Sequence, residues 1–242
     1  TDTLAESARK RAAKAMVKAG LKCKWEKAYK KINEFQKKKG PKTDAFQKIV
    51  EKFGPKDYSI VKEAIKSYNS EEGIEGIELF PGVKESLNSL RENYKLILVT
   101  SGTRVRQQKK IDLLGLNHDF DLIIIDDLEE QLSKEDRFLA VLKNFKLVPE
   151  EVLVVGDRIF SEIKVGNILG MTTVQMLHGA YSGLVPKRRI EAPDFRITKI
   201  PELLRILDEL ENHKELKVVV IGGGTGLPSM LKGLKKYTRE LT

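Results

Sequence analysis

Val152-Leu153-Val154-Val155-Gly156-Asp157-Arg158, with Glu162 five residues beyond Asp157, is the stretch on which the fold of this 242-residue chain turns. The apolar run reads as a buried strand, and the residues from Asp157 to about Leu169 read as a helix leaving its end. A pair of carboxylates at a strand end, opening a helix, suits a hard cation that bridges to phosphate.

Two similar units lie upstream. Lys95-Leu96-Ile97-Leu98-Val99 stops at Thr100-Ser101-Gly102 and is followed by a helical stretch from Arg104 to Leu114. That is a buried strand carrying hydroxyls and a small residue to the carboxyl end of a parallel sheet. Ile123-Ile124-Ile125-Asp126 reads as another strand, after which Lys134 falls in a polar turn before a helix from Asp136 to Phe145. A lysine there is a mobile point charge suited to a phosphate oxygen. Each feature has a plainer explanation: Thr-Ser-Gly as a turn, Lys134 as a solvated side chain, Asp157 as a helix cap. Their order, all at strand ends where open α/β sheets place their sites, argues for chemistry instead.

Thr100, Lys134 and Gly156-Asp157…Glu162, in this order and on these elements, resemble motifs two, three and four of the haloacid-dehalogenase superfamily. Phe80-Pro81-Gly82-Val83 resembles that family's re-entry from a helical cap into the core, and the similarity spans about residues 1 to 210. The resemblance implies that Thr100 hydrogen-bonds a transferring phosphoryl group and that Lys134 steadies its charge. It implies that Asp157 ligates Mg²⁺ with Glu162 as an outer acid, and that Ser101 and Gly102 contribute phosphate contacts. Relatives also carry a nucleophile in an Asp-x-Asp-x-Thr motif at the end of the first core strand, and no such motif occurs here. Thr1-Asp2-Thr3-Leu4-Ala5-Glu6 resembles the first turn of the cap helix, which in relatives comes after that motif. The expectation is therefore a missing amino-terminal piece; the competing reading is a pseudoenzyme that kept a phosphate pocket. Arg158 departs from the small residue of many relatives and has three readings: a partner for Glu162, a reach toward an anionic substrate, or a solvated charge.

Composition fits an α/β protein with more than one domain: 40% of the residues are apolar and the single Cys23 excludes an internal disulfide. No apolar run approaches a membrane span and no signal peptide is recognised, so the expectation is a cytoplasmic protein without a membrane partner. Net charge is +9, yet residues 1–66 hold 19 Lys plus Arg against 8 Asp plus Glu, leaving the remainder slightly acidic. Such a field could steer anionic substrates. Nucleic acid is an unfavoured partner, because few aromatics interleave the lysines and no nucleic-acid motif appears; solvated helix faces are the plainest account. Within this segment, helices are expected from Leu4 to Ala19, Trp25 to Lys37, Thr43 to Phe53 and Asp57 to Tyr68, with Trp25, Tyr29, Phe35 and Phe46 as cap core. Beyond Glu162, Thr172 to Met176 and Phe195 to Ile197 read as strands and Ile200 to Leu210 as a helix. His178, just past a strand end, could face the site, and a surface imidazole is the expectation.

At the carboxyl end, Val218-Val219-Val220-Ile221, the loop Gly222-Gly223-Gly224-Thr225-Gly226 and a helix from about Pro228 to Tyr237 form a strand, glycine loop and helix, a phosphate-cradle pattern. These residues resemble the opening of the YvcK and 2-phospho-lactate transferase group, which implies a nucleotide-sugar or related phosphorylated ligand at the loop. The expected organisation is therefore a helical cap (1–78), a Rossmann-like parallel-sheet core lacking its first strand (79–211), and a carboxyl-terminal β-loop-α fragment (212–242). The expected function is an Mg²⁺-dependent phosphatase of a small phosphorylated metabolite, inactive without the nucleophile. The alternative is a phosphometabolite-sensing module regulating a nucleotide-sugar-binding domain. Two positions are open to Val218–Ile221: filling the gap left by the first strand, or remaining an unsupported edge, and the edge is the expectation.

Overall fold

The computed structural model describes residues 4–39, 43–55, 57–74, 76–127, 132–211 and 216–223. The chain forms two compact units, Thr1–Gly76 and Ile77–Thr242.

Among the described residues, four helices make the first unit: α1 (Leu4–Lys18), α2 (Trp25–Lys39), α3 (Thr43–Phe53) and α4 (Tyr58–Tyr68). Alanines 8, 12 and 13 of α1 let its neighbours approach closely, and Met16, Ile32, Phe46, Ile49 and Ile60 fill the cluster around them. Trp25, Tyr29 and Phe35 pack against this cluster half-buried, as expected of cap core. Asp57 starts α4, its side chain accepting from the Ser59 amide at 2.8 Å. Some of the lysines lie along aromatic faces: Lys14 Nζ is 5.0 Å from the Trp25 ring centre and Lys27 Nζ 4.9 Å from that of Phe53. Cys23 is a free thiol that burial pushes up, against the pull of Lys27.

The second unit opens with α5 (Val83–Asn93) and then alternates: β1 (Lys95–Ser101), α6 (Arg104–Leu113), β2 (Leu122–Asp126), α7 (Lys134–Phe145), β3 (Val152–Gly156), a π-helical turn (Ile159–Ile163), α8 (Lys164–Leu169) and β4 (Thr172–Met176). A 3₁₀ turn (Pro149–Glu151) precedes β3, and two more (Gly179–Tyr181 and Arg189–Glu191), β5 (Phe195–Ile197), α9 (Glu202–Glu211) and β6 (Val218–Gly223) follow β4. The strands form one sheet in the order β2-β1-β6-β3-β4-β5, and every pairing is parallel. A fully parallel sheet must be covered on both faces, which accounts for strands as apolar as β3, buried at all five positions. Phe138 and Val141 of α7 pack with Ile97, Val99, Val152 and Val154 on one face.

The edge-strand expectation for Val218–Ile221 is corrected. β6 sits at the centre of the sheet, with Val219 in register with Leu96 of β1 on one side and Leu153 of β3 on the other. Its four apolar residues are buried on both faces, so it satisfies the unpaired backbone of two neighbours at once. Gly222 and Gly223 therefore end a core strand. Gly224, Thr225 and Gly226, together with residues 212–215 and the expected terminal helix, lie outside the described residues.

A second correction concerns Lys134, which begins α7 rather than preceding it. Ser133 is the cap: its hydroxyl accepts from the Asp136 amide, while the Asp136 carboxylate accepts from the Ser133 amide at 2.7 Å. This reciprocal capping box moves the helix start two residues upstream and fixes where the lysine leaves the backbone.

Candidate active site

The carboxyl ends of β1, β2 and β3, with the first turn of α7 and the π-helical turn, bring six charged groups together. Ser101 closes β1 opposite Asp126, which closes β2. The Ser101 hydroxyl donates to Asp126 Oδ2 at 2.9 Å and accepts from Lys134 Nζ at 2.9 Å. Arg137, one turn into α7, places Nε 3.4 Å from the other Asp126 oxygen. Lys134 Nζ is also 3.6 Å from Glu162 Oε1, which accepts from Arg158 Nη2 at 2.7 Å. Arg158 Nε in turn lies 3.9 Å from Asp157 Oδ1. Three carboxylates thus alternate with three cations in one chain of contacts. Formal neutrality among them means that a dianionic phosphate entering the site needs added positive charge.

Burial sets how these groups ionise. Asp157 is 3% exposed; burial and the neighbouring Glu162 charge push its carboxyl up to about 7, against the pull of Arg158. Glu162 is fully buried, which alone would raise it, but Arg158 and Lys134 hold it well below the usual carboxylate range. Burial draws Lys134 downward, partly offset by Glu162. Two carboxylate oxygens here, Asp157 Oδ1 and Glu162 Oε2, are buried without a hydrogen-bond partner. Unsatisfied anionic oxygens are costly in a dry site, and a cation would relieve both. Mg²⁺ is commonly held by one or two carboxylates, with waters and substrate phosphate completing its shell, so the pair fits it. Among the described residues no group of three or more His, Cys, Asp or Glu is arranged to hold a metal without such help.

Thr100 is placed differently from Ser101. Adjacent strand residues face opposite sides, and the Thr100 hydroxyl, fully buried, accepts from Gln107 Nε2 of α6. The same amide nitrogen donates to the Ser101 carbonyl at 3.1 Å, and Lys110 Nζ donates to Gln107 Oε1 at 2.7 Å. Gly102 has φ of +150° and its amide donates to the Asp126 carbonyl at 3.0 Å. Ser101, Lys134, Asp157 and Glu162 are therefore joined in one side-chain network, whereas Thr100 is held by Gln107, which meets that network at the Ser101 carbonyl. Of the three readings of Arg158, the ion pair with Glu162 is the one observed. His178 is half-buried edge-on against Phe80, ring centres 5.1 Å apart, and burial lowers it. Sequence reasoning missed Asp126, Arg137 and Gln107. The signal for Asp126 was present, an acid closing an apolar strand in the same way that Asp157 comes after one.

The sequence matches the family described as haloacid dehalogenase-like hydrolase over residues 3–176. The chain belongs to this family. It is 32% identical over 213 residues to a glyceraldehyde 3-phosphate phosphatase of Methanopyrus kandleri, covering 86% of this chain and 91% of that one. It is 31% identical over 175 residues to the pyrophosphatase PpaX of Bacillus cereus, covering 69% and 75%. Among solved structures, the hydrolase YfnB of Bacillus subtilis, bound to magnesium, superposes on this haloacid dehalogenase-like chain with a TM-score of 0.58 at 21% identity, covering 84% of it and 92% of YfnB. That likeness establishes the shared fold.

Proposed function

We propose that this haloacid dehalogenase-like chain carries the phosphoryl site of an Mg²⁺-dependent phosphatase acting on a small phosphorylated metabolite. The observation that carries the reading is the pair of buried carboxylate oxygens on Asp157 and Glu162 that accept no hydrogen bond, set beside the Lys134–Ser101 hydrogen bond at the carboxyl end of a parallel sheet. Asp157 would hold the metal directly, and Glu162 would act through water, since its other oxygen is engaged by Arg158. Bound Mg²⁺ would supply the positive charge that the neutral network lacks and neutralise phosphoryl oxygens. Lys134, carried on the first turn of α7, would contact a phosphoryl oxygen in exchange for its bond to Ser101. Thr100 would bind phosphate once its hydroxyl left Gln107. The names of the relatives favour esters the size of a triose phosphate, or pyrophosphate, as substrates to test.

Turnover is a separate matter. The family's mechanism, as the resemblance implies it, attacks phosphorus with an aspartate at the end of the central strand, and here that strand ends in Gly222-Gly223. The 242-residue chain is accordingly expected to bind phosphate with Mg²⁺ and not to hydrolyse esters. The experiment is phosphate release from glyceraldehyde 3-phosphate, pyrophosphate and p-nitrophenyl phosphate, alongside calorimetric binding of inorganic phosphate, each with and without Mg²⁺. Mg²⁺-dependent binding that Asp157→Asn removes, with no release above background, is the expected result. Release abolished by Asp157→Asn would establish an enzyme and require another acceptor. Absence of Mg²⁺-dependent binding would remove the phosphoryl-site reading.

A further inference from the structure

Glu162 holds Lys134 and Arg158 together, and to do so its side chain lies across the backbone of two different strands. A methyl group built on Gly156 of β3 would stand 2.4 Å from Glu162 Cβ and 2.9 Å from its Cγ. One built on Gly222 of β6 would stand 2.7 Å from the same Cγ. Real carbon–carbon contacts do not close to such distances, so a side chain at either position and the observed Glu162 exclude each other. Neither glycine is explained by its backbone, since neither has the positive φ seen at Gly82 or Gly170. The need for glycine is thus a matter of space, and Glu162 fills that space.

We propose that Gly222, delivered by the carboxyl-terminal strand, is a positioning residue for the site: with Gly156 it forms a two-strand floor on which Glu162 lies to clamp Lys134 and Arg158. This rests on the phosphoryl-site reading for its functional consequence, though not for its geometry. It gives the glycines at the end of β6 a role distinct from a loop that itself wraps a ligand, because the face Gly222 presents is occupied by a side chain of the same chain. Filling that face displaces Glu162 from both cations. Lys134 would then lose the anion beside it, and Arg158 the acceptor 2.7 Å away. Two repelling cations without their shared carboxylate no longer hold one arrangement for a phosphoryl group.

The test is Gly222→Ala, read by two measurements. The first is inorganic phosphate affinity with Mg²⁺, expected to fall about tenfold or more, the scale of losing a hydrogen bond to a charged group. Glu162→Ala, which removes the Cγ that the new methyl meets and leaves a Cβ at 3.6 Å, is expected to abolish the further loss that Gly222→Ala causes. A general packing defect would not be repaired in this way. The second measurement is melting midpoint, which needs no ligand. Gly222→Ala is expected to lower it by roughly 2–10 °C in the native background and by much less in a Glu162→Ala background, where the conflict is gone. Equal losses in the two backgrounds, or unchanged or strengthened phosphate binding by Gly222→Ala, would overturn the proposal. If the unsubstituted protein binds no phosphate while the midpoints show the expected coupling, the geometry stands and the phosphoryl-site reading fails.

Discussion

Asp157 is a buried carboxyl set beside a second buried carboxylate, Glu162. Its carboxyl is pushed up to about 7 by burial and by Glu162, whereas an unfolded chain would release the proton near 4. Between those values the native state holds a proton that the unfolded state does not, so its contribution to stability falls as pH rises from about 4 to about 7 and is level above that. The loss at pH 8 is on the order of 2–4 kcal/mol. In metal-free protein, Asp157→Asn is therefore expected to melt several degrees above the parent at pH 8 and together with it near pH 4. Adding Mg²⁺ at pH 8 should raise the parent and leave the variant unmoved, because only an ionised carboxylate gains from the cation. Thermal melts across pH with EDTA or Mg²⁺ check this; a variant less stable than the parent at pH 8 would mean that Asp157 is ionised and well satisfied without metal.

At the scale of elements, what can be read from sequence divides by whether the information is local. β1 and β3 are legible because strands covered on both faces are continuous apolar runs, as in Leu96 to Val99 and Val152 to Val155. The lysine of α7 reads as a turn residue because the Ser133–Asp136 box uses Asp where the familiar box has Glu or Gln. Ser101 and Asp126 meet only because β1 and β2 pair in one register, a fact that no window containing either residue holds. The same limit applies to β6: its four apolar residues say strand, but a central place between β1 and β3 is set by partners more than 60 residues away. That place makes a firm prediction. Val220→Asp puts a charge at a position 1% exposed between two paired strands, where it should cost roughly 4 kcal/mol or more. Val185→Asp, at a residue 77% exposed, should change stability by about 0.5 kcal/mol at most. Urea midpoints of the two variants decide the matter: similar small losses would return β6 to an edge.

At the scale of the whole chain, the two units differ in how they are held together. Residues 1–76 have their own apolar cluster around Phe46, and the sheet has another around Phe138; each ring is at most 1% exposed. A unit with a complete core can unfold as a cooperative block of its own, so a single melting transition is not the default for this chain. Phe46→Ala and Phe138→Ala each leave a cavity costing about 3–5 kcal/mol, but they act on blocks of unequal size. A block near 76 residues loses about 4–8 °C per kcal/mol, and one twice that size about half as much. Trp25, the only tryptophan, packs against the first cluster and reports on that unit alone. Phe46→Ala should therefore lower the Trp25 fluorescence midpoint by at least about 12 °C and leave a later calorimetric transition in place. Phe138→Ala should move the calorimetric transition and spare the fluorescence one. Coincident shifts in both signals for both variants would show instead that the helical unit and the sheet melt as one body, with the network at Asp157, Glu162 and Lys134 coupled to the packing of α1 to α4.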